Sequence, residues 1–189
     1  SMLESALAAG VSSAGVSVKL LGVVPTPLVS HVTQHTDAVG AVMISASHNP
    51  YDDNGIKVFN EFGEKTDAET EQKIENVIDG LEEVVLASPD KIGVIKADSE
   101  DVDLYIQHLI EEVPLDLTGY KVVLDCANGA AVSTAQRIFE QTGCELIVLH
   151  NQPDGYNINT NCGSTHPEDL VKHVLEYQAD FGFAFDGDA

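Results

Sequence analysis

Tyr120-Lys121-Val122-Val123-Leu124-Asp125-Cys126-Ala127-Asn128-Gly129 decides the fold: a strand-like stretch centred on Val122-Val123-Leu124 empties into small and polar residues ending in glycine. A short continuous apolar run bounded by turn residues suits a strand buried on both faces of a parallel sheet. Residues 130–141 then read as a helix, 145–150 as a strand, 151–164 as a long loop and 167–178 as a helix. Phe181-Gly182-Phe183-Ala184-Phe185 is the next strand, ending in Asp186-Gly187-Asp188. Strands alternating with helices of ten or more residues imply right-handed βαβ units around a parallel sheet.

The same alternation extends backward. Residues 2–14 are alanine-rich and helix-prone, 18–24 read as a strand closed by Pro25-Thr26-Pro27, and 28–36 as a helix. Val39 to Ser45 reads as a buried strand, and Ile56–Asn60 as a short one. Thr66 and Glu69 have capping-box spacing before a helix with the apolar stripe Ile74, Val77, Ile78 and Leu81. Residues 86–98 read as a connector near a domain boundary. Val102, Tyr105, Ile106, Leu109, Ile110 and Val113 mark one helix face, ended by Pro114. The fold class is α/β throughout.

Composition narrows the function. With 31 acids against 9 bases among 189 residues, the formal net charge is −22. A field of that sign argues against nucleic acid and anionic membrane surfaces as partners. Arg137 is the lone arginine, so phosphate chemistry here needs a metal, lysines or residues supplied elsewhere. No apolar run approaches the ~20 residues that span a bilayer, and the start lacks a signal-like core, so the expected location is cytoplasmic. Cys126, Cys144 and Cys162 have no CxxC spacing and read as structural thiols.

Ligands of open parallel sheets gather at the carboxyl ends of strands, which selects the loops after Ser45, Cys126 and Phe185. In Ser45-Ala46-Ser47-His48-Asn49-Pro50, Ser47 is a nucleophile candidate with His48 beside it, and the stretch reads equally as a plain turn. Lys57, on the strand returning from Asn54-Gly55, can neutralise phosphate or move a proton if desolvated, or simply be solvated. Asp125 to Gly129 reads as scaffold. Asp186-Gly187-Asp188 offers two carboxylates to a hard cation such as Mg²⁺, or forms an ordinary turn. His31 and His35 have ligand spacing but read as a partly exposed helix face, and Thr165 with Glu168 reads as a helix start around Pro167.

Together these motifs resemble the α-D-phosphohexomutase superfamily, and within it most closely the phosphoglucosamine mutases. The resemblance rests on Ile44-Ser45-Ala46-Ser47-His48-Asn49-Pro50, Asp53-Asn54-Gly55-Ile56-Lys57, Cys162-Gly163-Ser164-Thr165-His166-Pro167-Glu168, Asp186-Gly187-Asp188-Ala189 and Pro25-Thr26-Pro27. It implies two consecutive three-layer α/β domains with mixed, mainly parallel sheets, over residues 1–97 and 98–189. Both are expected to be incomplete, because the family has four domains and its third metal aspartate would follow Ala189. It further implies that Ser47 carries phosphate, with Lys57 and His48 as catalytic partners and Mg²⁺ held by phosphorylated Ser47, Asp186 and Asp188. The implied substrate is a phosphosugar, glucosamine 6-phosphate, interconverted with glucosamine 1-phosphate through a 1,6-bisphosphate for cell-wall precursor synthesis. A homodimer is left open for the full-length protein. Three competitors stand beside this: a sister mutase acting on glucose or mannose phosphates, a haloacid-dehalogenase-type phosphatase starting from the strand and Asp-x-Asp, and a non-catalytic metal- or partner-binding module. The phosphatase is disfavoured by position, since its motif opens the fold and here it closes the chain.

Overall fold

The computed structural model describes residues 1–97 and 99–189; residue 98, where the second domain is expected to begin, lies outside the described residues. The chain is mixed α/β with small, mainly parallel sheets. The second half follows the expected alternation. Strands β5 (Lys121–Asp125), β6 (Glu145–Leu149) and β7 (Phe181–Ala184) form one parallel sheet with β5 central. Being paired on both edges, β5 buries Val122, Val123 and Leu124 completely, which is what its apolar centre requires. The segment read as one helix divides into a 3₁₀ turn (Ala130–Ser133) and α5 (Ala135–Glu140). Helix α6 (Glu168–Glu176) returns the chain to β7.

The first half departs from the reading at two points. β1 (Val18–Leu20) pairs in parallel with β4 (Ile95–Ala97), so the stretch read as a connector ends in a strand that returns to the first one. β2 (Ala41–Ile44), read as a buried parallel strand, instead pairs antiparallel with β3 (Ile56–Phe59), setting Met43 opposite Lys57 and Ile44 opposite Ile56. Apolar run length alone does not distinguish the two pairings, whereas a hairpin follows when the next strand is this close in sequence.

Helix boundaries follow their caps. α1 (Met2–Ser13) opens with a reciprocal capping box between Ser1 and Glu4. α2 starts earlier than expected, at Thr26, because Pro25 is its N-cap and Pro27 sits in its first turn, where a missing N–H costs nothing. α3 (Ala68–Ile78) is capped by Asp67, not Thr66: the Asp67 carboxylate accepts from the Thr70 amide at 2.8 Å. Its expected apolar stripe is not buried; Ile78 is 76% exposed. Pro167 stands at the N-cap of α6 without a side-chain cap bond, so Thr165 and Glu168 form no capping box there.

Two apolar clusters hold these elements. One gathers Val24, Leu28, Val29, Val32 and Phe59 around Tyr105 of α4 (Glu100–Glu112), and so joins the two halves of the chain. The other packs β5 against Ala131, Ala135 and Phe139. At the α2–α4 seam, His31 stacks on His35 with ring centroids 4.0 Å apart, and His108 lies 4.4 Å from His31. His31 and His35 thus lie on the face of α2 that meets α4, where His108 joins them from the partner helix. No described helix is long and apolar enough to cross a membrane.

Two outcomes follow from this packing. Leu124→Ala removes a fully buried side chain and is expected to cost about 2–5 kcal/mol, read as a lower urea midpoint. Burial, with His35 and His108 alongside, holds the pKa of His31 below its ordinary 6.5. Between that lowered value and 6.5 the folded chain binds fewer protons than the unfolded one. Stability is therefore full above pH 6.5 and falls as pH drops through the window. Urea midpoints measured across that range should fall toward acid, and His31→Gln should flatten the fall.

Candidate functional site

The carboxyl ends of β2 and β7 meet, although more than a hundred residues separate them in sequence. The loop after β2 carries Ser45 and Ser47; the loop after β7 carries Asp186 and Asp188. The Ser47 hydroxyl donates to Asp186 Oδ2 at 2.5 Å, and the Ser45 hydroxyl donates to Asp188 Oδ2 at 2.6 Å. Lys57 Nζ, from β3, pairs with the same Asp188 oxygen. The antiparallel hairpin explains why the lysine arrives there. Register sets Lys57 opposite Met43, on the strand that leads into the serine loop. Gly55 permits the tight return, since a Cβ there would stand 2.5 Å from the Ser45 carbonyl oxygen.

Four of the five expected site residues, Ser47, Lys57, Asp186 and Asp188, thus come together. His48 is adjacent but exposed, and none of the hydrogen bonds that tie the cluster runs through its imidazole. Ser45, which the sequence reading set aside, links the cluster: its oxygen accepts from the Ser47 amide at 2.9 Å while its hydroxyl holds Asp188. Asn159, from the 151–164 loop, was not singled out either. Its carboxamide donates to the carbonyls of Ser47 and Asn49, both at 2.9 Å. A lone asparagine in a long loop carries no spacing signal, so only the fold reveals it.

Electrostatics are set by Asp188, which is 6% exposed. Burial pushes its carboxyl up, but hydrogen bonds from Lys57 and Ser45 and the lysine's charge outweigh that, holding it below the usual carboxylate range. The chain is further pinned where the Thr26 amide donates to the Asp188 carbonyl at 2.9 Å. Asp125, fully buried, accepts from the amides of Ala127 and Gly163 at 2.9 and 2.8 Å. It therefore ties the turn after β5 to the Cys162-Gly163 segment and is scaffold, as read. Gly129 lets that turn approach the β7 loop, where a Cβ would stand 2.5 Å from the Gly187 carbonyl oxygen. The thiols of Cys126 and Cys162 are pushed up to about 12 and about 11 by burial and the Asp125 charge, which leaves them inert at neutral pH. Arg137 is far from this chemistry, paired with Asp103 at 2.7 Å.

The donors suit a hard cation. Asp186 and Asp188 present carboxylate oxygens beside the hydroxyls of Ser45 and Ser47, and the Thr26 hydroxyl oxygen is buried with no hydrogen-bond partner. An all-oxygen set matches Mg²⁺. Two carboxylates alone do not make a closed site, and among the described residues no three-ligand group of His, Cys, Asp or Glu exists.

Comparison with known proteins accords with this geometry. Residues 1–84 match the family described as phosphoglucomutase/phosphomannomutase, alpha/beta/alpha domain I, and residues 103–189 match its domain II. The chain is 49% identical over 189 residues to a phosphoglucosamine mutase of Alcanivorax borkumensis and 47% identical to one of Pelotomaculum thermopropionicum, covering 100% of itself and 42% of each relative. The chain thus spans under half the length of these relatives. A crystal structure of a phosphoglucomutase/phosphomannomutase family protein from Burkholderia thailandensis superimposes with a TM-score of 0.80 at 29% identity, over 98% of this chain and 41% of that one. With both family domains matched in order, and the fold shared with a solved member, the chain belongs to the phosphoglucomutase/phosphomannomutase family.

Proposed function

We propose that the full-length protein is a phosphoglucosamine mutase, an isomerase in which Ser47 carries the phosphoryl group exchanged with the sugar, residues 1–97 supplying the serine and 98–189 the metal carboxylates. The observation that carries this is the contact between the Ser47 hydroxyl and Asp186, with Lys57 and Asp188 alongside. The choice of glucosamine phosphate rests on the names of relatives 49% and 47% identical to this chain.

In the first transfer, phosphorylated Ser47 gives its phosphoryl group to O1 of glucosamine 6-phosphate. The O1–P bond forms, the Oγ–P bond breaks, the O1 proton leaves and Oγ is protonated. The bisphosphate then turns over, and its O6 phosphoryl returns to Oγ, leaving glucosamine 1-phosphate. Loose phosphoryl transfer asks for positioning and charge neutralisation more than for covalent help. Asp186 is placed to hold the proton of the Ser47 hydroxyl in the dephosphorylated state. Lys57 brings the site's positive charge and is the group within reach to move a proton to or from the sugar oxygen, while Asp188 fixes its ammonium. His48, exposed beside the serine, is assigned a supporting catalytic role there. Mg²⁺, when held by Asp186, Asp188 and a phosphoryl oxygen on Ser47, supplies positive charge against the transferring group. The expected setting is cytoplasmic, the expected product a cell-wall precursor, and neither nucleic acid nor membrane is a partner.

Two measurements test this on the full-length protein. Ser47→Ala is expected to lower mutase turnover by at least about 10⁴-fold and to abolish the addition of about 80 Da seen at Ser47 by intact mass; normal turnover in that variant would sink the assignment. Lys57→Met is expected to lower kcat by about 10²–10⁴-fold while Ser47 remains able to carry phosphate.

A further inference from the structure

Ser47 is held in a left-handed backbone conformation, φ 57°, which a residue with a Cβ adopts at a cost of order 1–3 kcal/mol. Something outside the loop must hold it there. Around the serine the loop's own bonds are the Ser47 amide to the Ser45 oxygen and the Asn49 amide to the Ala46 carbonyl at 3.2 Å, with the Asn49 side chain tied to Asp53 at 2.9 Å. The remaining restraint comes from the other half of the chain. Asn159 is 7% exposed, and both of its amide hydrogens are used, one on the Ser47 carbonyl and one on the Asn49 carbonyl, so it spans the serine from either side of His48. Asn159 is itself left-handed, φ 58°, and its backbone amide is fixed to the Ala127 carbonyl at 2.9 Å. Asparagine is among the few residues that tolerate this conformation.

A second contact docks the same two loops. Tyr156 meets Tyr51 edge to face, with centroids 5.2 Å apart. Gly187 closes the third side: a Cβ there would strike the Ser47 carbonyl oxygen and come within 2.9 Å of the Asn159 amide nitrogen. The Ser47 carbonyl is therefore enclosed by the β7 loop and the 151–164 loop together.

We propose that Asn159 is a positioning residue for phosphoryl transfer: by holding the carbonyls on either side of His48 it fixes the direction in which the Ser47 oxygen presents its phosphoryl group, and it makes that direction depend on the docking of the second domain. This rests on Ser47 being the phosphoryl carrier. Asn159 touches neither the sugar nor the reacting atoms, so its loss acts on alignment. Misalignment by about 1 Å can cost on the order of 10²-fold in rate.

The test uses the full-length protein. Asn159→Asp keeps size and tolerance of φ 58° but replaces the nitrogen that donates both bonds with an oxygen facing the two carbonyls. Asn159→Gly keeps the backbone and removes the side chain. Both are expected to lower kcat by about 10- to 100-fold with KM for glucosamine 6-phosphate unchanged. Both should also slow phosphorylation of Ser47 by glucosamine 1,6-bisphosphate, followed by intact mass, at wild-type folded fraction. Wild-type kcat and phosphorylation rate in both variants overturn the proposal, as does a loss of activity wholly matched by loss of folded protein. Ser47→Ala run alongside separates the two readings: retained turnover there overturns the carrier assignment itself, whereas an inactive Ser47→Ala beside fully active Asn159 variants overturns only the role of Asn159.

Discussion

Lys57 and Asp188 form an ion pair withdrawn from water, and the architecture is arranged to make that pair possible. A carboxylate buried to the extent of Asp188 costs several kcal/mol unless a cation and hydrogen bonds reach it. Its partners come from three places: Lys57 from β3, Ser45 from the loop after β2, and the Thr26 amide, on its carbonyl, from the start of α2. None belongs to the half of the chain that carries Asp188. The desolvated charge is therefore tolerable only when the two halves are docked in one register, and the shared core of α2 and α4 around Tyr105 holds that register.

The backbone obeys the same constraint. Bringing these loops together leaves little room for side chains at their contacts, so glycine stands at Gly129 and Gly187, where a Cβ would meet a carbonyl oxygen of the facing loop, and at Gly55, where it would meet the Ser45 carbonyl of its own hairpin. Where a side chain is needed at such a place, Ser47 and Asn159 accept left-handed geometry instead. Strain of this kind persists only where surroundings over-determine it, and at Ser47 the surroundings are Asn159, Gly187 and Asp186.

What could be read from the sequence followed from how strongly burial constrains it. Val122 to Leu124 are wholly buried and flanked by strands on both sides, so their apolar residues mark a strand in the sequence, while its central place comes from the fold. β2 has a similar apolar run but only one partner strand, and the run does not record that partner's direction. β4 is three exposed residues whose pairing depends on a strand some 75 residues earlier, a contact with no local signal. The cap of α3 moved by one residue because the Asp67 carboxylate reaches the Thr70 amide, leaving Thr66 outside the helix. Ser47, Lys57, Asp186 and Asp188 were singled out through the family resemblance of their compact motifs, and the fold brings them together. Ser45 and Asn159 were not, since their value lies in what stands opposite them in space.

The charge balance ties site to composition. A net charge of −22 with one arginine is poor material for gripping an anion, and the local balance repeats the problem: two carboxylates meet one lysine, and that lysine is already paired with Asp188. A phosphoryl group on Ser47 would add about −1.5 to −2 charges where Asp186 now lies 2.5 Å from the hydroxyl oxygen. At that separation, in a partly desolvated loop, like charges repel far more strongly than in water. The hydroxyl form is thus stable with the groups present, whereas the phosphorylated form requires added positive charge between Ser47 and the two aspartates. The oxygen donors already gathered there, with the unpartnered Thr26 hydroxyl beside them, are of the kind that a hard divalent cation would take in the function proposed above. The acidity that makes the chain look unsuited to phosphate is, at this one place, what would let it hold a cation in the function proposed above.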